Sequence, residues 1–293
     1  MKLFRFGTPG QEKPGVWRGD QPIDASGFGQ GWPDGRDWDE RFFAGDGLTR
    51  LGRWLATEGA RAPRVPEGTR LGPAVARPSK LVCIGLNYRD HARESGATLP
   101  SEPIVFLKAS SAIAGPHDDL VLPKGGDKTD WEVELALVIG KRAKYVELEA
   151  ALDHVAGFVL HNDYSERAFQ LERLGQWTKG KSADGFAPLG PTLVTREEFP
   201  HFGAARLWLK VNGETKQDGN TAGLVFDVAT LVSYVSRFMT LLPGDVLSTG
   251  TPAGVGMGHK PPVYLRPGDL VEYGIEGLGE AHQRVCSSQE PRQ

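Results

Sequence analysis

Asp130-Trp131-Glu132-Val133-Glu134-Leu135-Ala136-Leu137-Val138-Ile139 decides how this chain reads. From Val133 onward, Val133, Leu135, Leu137 and Ile139 share one parity, so the run reads as a β-strand. Side chains two apart on a strand share a face, which puts Glu132 and Glu134 side by side with Cα atoms roughly 7 Å apart. Two carboxylates at that spacing repel unless positive charge lies between them. A hard, oxygen-seeking cation such as Mg2+ or Mn2+ is the natural neutraliser. The plainer alternative is a solvated polar face on an edge strand, and the rest of the chain has to choose.

Further on, Val155-Ala156-Gly157-Phe158-Val159-Leu160 predicts a second strand, with Asp163 just beyond it and a helix-like Tyr164–Gln170 following. A carboxylate there is either a third metal oxygen or an ordinary helix N-cap. Upstream, His91 and Glu94 stand three apart in Asn87-Tyr88-Arg89-Asp90-His91-Ala92-Arg93-Glu94. On a helix they share a face. A carboxylate beside an imidazole fixes its tautomer and raises its basicity, as a general base requires, although surface His–Glu neighbours are common. Gly85 and Gly96 flank this stretch and suit the hinges of a lid. Lys181, in Lys179-Gly180-Lys181-Ser182, suits an enolate or carboxylate partner, against the usual solvated loop lysine. The glycine-rich Gly250–Gly258 offers backbone N–H groups to an anion. It is not a dinucleotide fingerprint, because the last glycine of that pattern would fall on His259.

The 293 residues suffice for one large domain plus a small appendage. A formal net charge of −3, with no basic or acidic block, argues against nucleic acid and membrane surfaces as partners. Cys83 and Cys286 form neither a disulfide framework nor a zinc motif. The first residues lack an apolar signal core, and no run reaches the ~20 apolar residues of a membrane span. A cytoplasmic protein is the expectation. Leu48, Leu51, Trp54 and Leu55 predict a helix, and Pro63, Pro66, Pro73 and Pro78 suggest a linker. A helix is also predicted from Val228 to Met239 with Asp227 as N-cap, and a hairpin at Asn212-Gly213. Strands outnumber helices without alternating with them, which predicts an α+β fold.

Together and in this order, these segments resemble the fumarylacetoacetate hydrolase family. The matching pieces include Gly85-Leu86-Asn87-Tyr88-Arg89-Asp90-His91, Pro103–Lys108, Asp130–Leu135, His161-Asn162-Asp163, Lys179–Ser182, Leu209–Gly213 and Ser248–Gly256. The resemblance covers about residues 80 to 285. It implies a mixed β-sandwich or β-roll catalytic domain over 76–293, preceded by a small N-terminal domain over 1–75, and a homodimer. It assigns Glu132, Glu134 and Asp163 to Mg2+ or Mn2+, His91 and Glu94 to water activation, and Lys181 to the active site. Lys108, Gln170 and Thr251 fall where pocket-lining residues stand.

Ser165–Gln170, Gly175–Lys181 and Gly256–Pro262 look like the bacterial sugar-acid branch, similar to 2,4-diketo-3-deoxy-L-rhamnonate or L-fuconate hydrolases. The implied reaction is hydrolysis of a carbon–carbon bond in a 2,4-diketo acid. It gives pyruvate and a small hydroxy acid such as lactate. Oxaloacetate decarboxylation or isomerisation, and ureidoglycolate lyase chemistry, are the alternatives.

Overall fold

In the computed structural model, which describes residues 1–29 and 37–288, the deciding stretch is a strand over Val133–Ile139. All seven of its residues are buried, so it is an interior strand and not a solvated edge. It lies inside an eleven-stranded sheet. Its neighbours are Val155–Asn162 on one side and Val246–Ser248 on the other, both antiparallel. From Val246–Ser248 the sheet continues through a parallel pairing with Leu81–Gly85 to the edge strand Ile104–Lys108. From Val155–Asn162 it continues through Ala187–Thr195.

A second sheet of five strands is built on the hairpin Arg206–Val211 and Glu214–Asn220, followed by Leu270–Ile275, Gly279–Cys286 and Leu120–Val121. The hairpin turns where Asn212-Gly213 predicts. Both residues take positive φ, 52° and 77°, which matches the right-handed twist of the flanking strands. The two sheets share one apolar core: Leu135, Leu137 and Val159 of the first cluster with Leu207, Leu209 and Tyr273 of the second. Neither sheet closes into a barrel. The α+β expectation, with mixed sheets, holds.

The helix Val228–Phe238 starts on Asp227, whose carboxylate accepts the Thr230 N–H at 2.8 Å. The helix expected around Leu48–Leu55 runs over Gly47–Thr57. The proline-rich stretch reads as a linker in sequence, but it is stitched into the fold. Leu71–Gly72 pairs with Lys2–Phe6, Ala74 N–H donates to Leu189 O at 3.0 Å, and Ala74 and Val75 are fully buried. The N-terminal strands Lys2–Phe6, Lys13–Arg18 and Gln21–Asp24 extend the large sheet beyond Ala187–Thr195. No helix among the described residues is long and apolar enough to cross a membrane.

Candidate active site

Register brings the carboxylates together. Val133 lies opposite Asn162, so the next residue, Asp163, arrives beside Glu132. The Asp163 N–H donates to Glu132 O at 2.8 Å and fixes that meeting. One oxygen from each of Glu132, Glu134 and Asp163 lies within 4.8 Å of the others, and all three residues are buried. It is the one such carboxylate, cysteine or histidine cluster found among the described residues.

Buried bases answer part of this charge. Lys181 Nζ donates to Glu132 Oε2 at 2.6 Å and to Asp163 Oδ2 at 2.8 Å. Lys108 Nζ donates to Asp163 and to Tyr164 O. Arg167 donates to Glu132 Oε1 at 2.6 Å and to Asp130 Oδ2 at 2.8 Å. Burial alone would push the Glu132 carboxyl up, but Lys181 and Arg167 outweigh it and hold it low. Asp163 is likewise held low, with Lys108 and Lys181 overcoming burial.

Glu134 is different. It accepts hydrogen bonds from Ser248 Oγ and from Gly250 N–H, the latter at 3.0 Å. Burial, then Asp163 and Glu132, push its carboxyl well above the ordinary range. His161, across the strand from it, does not help. Burial pulls that imidazole down to about 4 and keeps it neutral. Four buried carboxyl groups (Asp130, Glu132, Glu134 and Asp163) thus face three buried bases. A hard divalent cation on the three clustered oxygens would relieve Glu134, and an all-carboxylate donor set suits Mg2+ or Mn2+.

His91 and Glu94 lie on the short helix Arg89–Glu94, with Nδ1 of His91 3.3 Å from Glu94 Oε2. The other Glu94 oxygen accepts the Gly254 N–H at 2.9 Å. Burial opposes ionisation of Glu94, but His91 and that N–H prevail and lower its pKa. The glycine-rich segment is an anion cradle, as its sequence predicts, and its anions are the chain's own carboxylates. Gly250 N–H holds Glu134, Gly254 N–H holds Glu94, and the Gly256 and Met257 N–H groups hold Asp130 at 2.6 and 3.0 Å.

His91, Glu132, Glu134 and Lys181 line a single cavity of about 170 Å³. Gln170 and Thr251 line it too. Both are engaged: Gln170 Oε1 accepts from Arg167, and Thr251 Oγ1 donates to Val133 O and accepts from Gln217. Lys108, expected at the pocket, stands behind Asp163 as its counter-charge. Asp130 and Arg167 lie within the sequence motifs, which assign neither of them a role. Their pairing depends on the two-residue ladder between Thr129–Asp130 and Ser165–Glu166.

A sequence profile described as "Fumarylacetoacetate (FAA) hydrolase C-terminal" matches residues 80–286. The chain belongs to the fumarylacetoacetate hydrolase family. A Burkholderia multivorans relative, named provisionally as a hydrolase, is 52% identical over 287 residues, covering 97% of this chain and 98% of its own. The fumarylacetoacetate hydrolase of Exiguobacterium antarcticum superposes with a TM-score of 0.82 at 36% identity, over 98% of this chain and 99% of that one. A maleylpyruvate hydrolase from Sphingobium sp. SYK-6, solved with manganese(II) and pyruvate, gives 0.80 at 30% identity, over 99% and 100%. Family membership, a manganese-bound relative and the buried carboxylates together support metal-dependent chemistry of the acylpyruvate type.

Proposed function

We propose that this chain hydrolyses the C3–C4 bond of a 2,4-diketo acid and releases pyruvate. The observation that carries this reading is one cavity lined by Glu132, Glu134, Lys181 and His91, with Asp163 clustered on the two glutamates and Glu94 beside the His91 ring. Glu132, Glu134 and Asp163 would hold Mg2+ or Mn2+. When bound, such a cation supplies Lewis-acid charge beside the substrate's carbonyl oxygens.

The chain's own groups supply the rest. Glu94 accepts a hydrogen bond from the Nδ1–H of His91 and leaves Nε2 as the base. Nε2 takes a proton from water while the oxygen attacks C4. The C3–C4 bond breaks, C4 leaves as a carboxylic acid, and its electron pair passes to C3 as the enolate of pyruvate. The Lys181 ammonium stands near that developing charge, and the proton on His91 returns to C3.

The motif resemblance narrows the substrate to 2,4-diketo-3-deoxy-L-rhamnonate or its L-fuconate counterpart, with lactate as the second product. This finer reading rests on sequence alone. A homodimer acting in the cytoplasm is part of the same proposal, and sedimentation analysis tests the dimer. The functional test is pyruvate release from a panel of 2,4-diketo acids, oxaloacetate and ureidoglycolate, with Mg2+ or Mn2+ and with chelator. The account predicts chelator-sensitive cleavage of diketo acids. Decarboxylation of oxaloacetate with no diketo acid cleaved would replace it with the decarboxylase reading.

A further inference from the structure

We infer that the part of the substrate beyond C4 is an apolar acyl chain seated against Phe106 and Trp177, a conclusion that rests on the acylpyruvate reading above and replaces its narrowing to a hydroxylated sugar acid. The cavity has two chemistries. Its charged groups cluster around the three carboxylates. The rest of its wall includes Ile84, Leu86, Phe106, Leu171, Trp177 and Met257. Phe106 and Trp177 meet edge-to-face, with ring centroids 5.4 Å apart. Lys181 Nζ lies 5.1 Å from the centroid of the Phe106 ring, so the apolar wall begins beside the active-site ammonium.

The Trp177 ring lies close on the end of the strand Leu81–Gly85, where a Cβ on Gly85 would meet it at 2.5 Å. Phe106 and Trp177 also wall a second cavity of about 360 Å³, with Val105, Leu107 and Met239 among its other lining residues. The ring pair therefore stands between two cavities.

Several of the wall's polar atoms are already engaged, which leaves the Gln170 amide N–H groups and His91 Nε2 as its open polar atoms. Ser95 Oγ donates to His91 O. The Thr251 hydroxyl and the Gln170 carbonyl are bound as described. A tail hydroxyl pressed against this wall gives up water without an equal replacement, a penalty of roughly 10- to 100-fold in binding. Each methylene buried there gains about four-fold. Leu171 is 47% exposed at this wall, and Trp177 is half-buried, so both have surface left for a ligand to cover.

The test compares kcat/KM of the Mn2+-loaded protein for acetyl-, butanoyl- and hexanoylpyruvate and for the hydroxylated sugar-acid diketo acid. Calorimetric binding of the product acids acetate, butanoate and hexanoate runs in parallel. The inference predicts a rise of about four-fold per methylene in both series, with the hydroxylated substrate below butanoylpyruvate. Trp177→Ala should cut the hexanoyl-to-acetyl ratio about ten-fold, the worth of one to two methylenes. Leu171→Ser, at a position exposed enough to spare the fold, should lower the same ratio by about four-fold.

Acetylpyruvate cleavage with a flat or falling chain-length series overturns the apolar tail and leaves the hydrolase reading standing. Cleavage of the hydroxylated diketo acid alone likewise overturns the apolar tail and leaves the hydrolase reading standing; failure to cleave any of the four overturns the hydrolase reading, and the acid-binding series then decides the tail by itself.

Discussion

Glu134 sits where the electrostatics are least settled. It is a buried carboxylate flanked by two others, held by a hydroxyl and one backbone N–H, with its pKa driven up by burial and by Asp163 and Glu132. Glu134→Gln should leave the metal-free protein at least as stable as the parent, because a neutral amide removes the repulsion. The same change should abolish stabilisation by Mn2+, which for one site at 100 times Kd amounts to about 2.7 kcal/mol. Thermal unfolding with and without Mn2+ reads both effects. Arg167 behaves oppositely. Arg167→Met leaves Asp130 and Glu132 without their shared partner, and breaking a buried pair in this way costs about 3–5 kcal/mol; urea unfolding measures it. At this scale the sequence exposes Glu132 and Glu134 through strand parity. Asp163 is ambiguous there, because its arrival beside Glu132 depends on a cross-strand register that no single segment encodes. Lys108 has its place only through the resemblance, and the structure sets its ammonium on Asp163 and Tyr164 O.

The segment from Gly250 to Gly258 joins the elements of the site. It grips Glu134, Glu94 and Asp130 through successive N–H groups, and Trp131 Nε1 donates to Gly254 O at 3.0 Å. Gly254 has φ of +103°, and a Cβ there would meet Lys216 O at 1.9 Å. Gly254→Ala is therefore both strained and obstructed. It should displace the N–H that holds Glu94 and lower hydrolysis more than cation binding; comparing turnover with Mn2+ affinity in this variant checks it. Asp227→Ala, which removes a helix cap outside the cavity lining, should lower stability by about 1 kcal/mol and leave the ratio of those two quantities unchanged. The helix, its cap and the hairpin are legible because each is written in a few neighbouring residues. The prolines before Pro78 mislead, because they break helices equally well in a linker and in an extended segment pinned to a sheet. The helix carrying His91 is docked here, with Glu94 on Gly254 and the Asn87 side chain on Thr249 O. The lid expected from Gly85 and Gly96 remains a proposal, tested by hydrogen exchange across residues 87–97 with and without pyruvate.

Across the whole molecule, one sheet runs from the N-terminal strands to the edge strand beside the cavity. Leu3, Val16 and Leu51 belong to the same buried cluster as Leu193, Val194 and Leu135. The profile match begins at residue 80, yet the preceding strands are part of the core that supports the site. The division at residue 75 can be tested directly. A chain starting at residue 76 exposes that apolar seam and should aggregate or lose its cooperative thermal transition. A soluble, cooperatively folding fragment would mark the first 75 residues as a separable domain. Fold class and family are visible in sequence because several short motifs occur in order; the sharing of one core between the two regions is not, since it arises from strand pairing over nearly 200 residues.

The central claim is that His91 activates water across the cavity from a cation held by Glu132, Glu134 and Asp163. The most direct measurement is the turnover of acetylpyruvate by His91→Ala at a Mn2+ concentration shown to saturate the variant. The account predicts a loss of about 10²- to 10⁴-fold with Mn2+ affinity retained. Turnover near that of the parent protein, with Mn2+ bound, would contradict it.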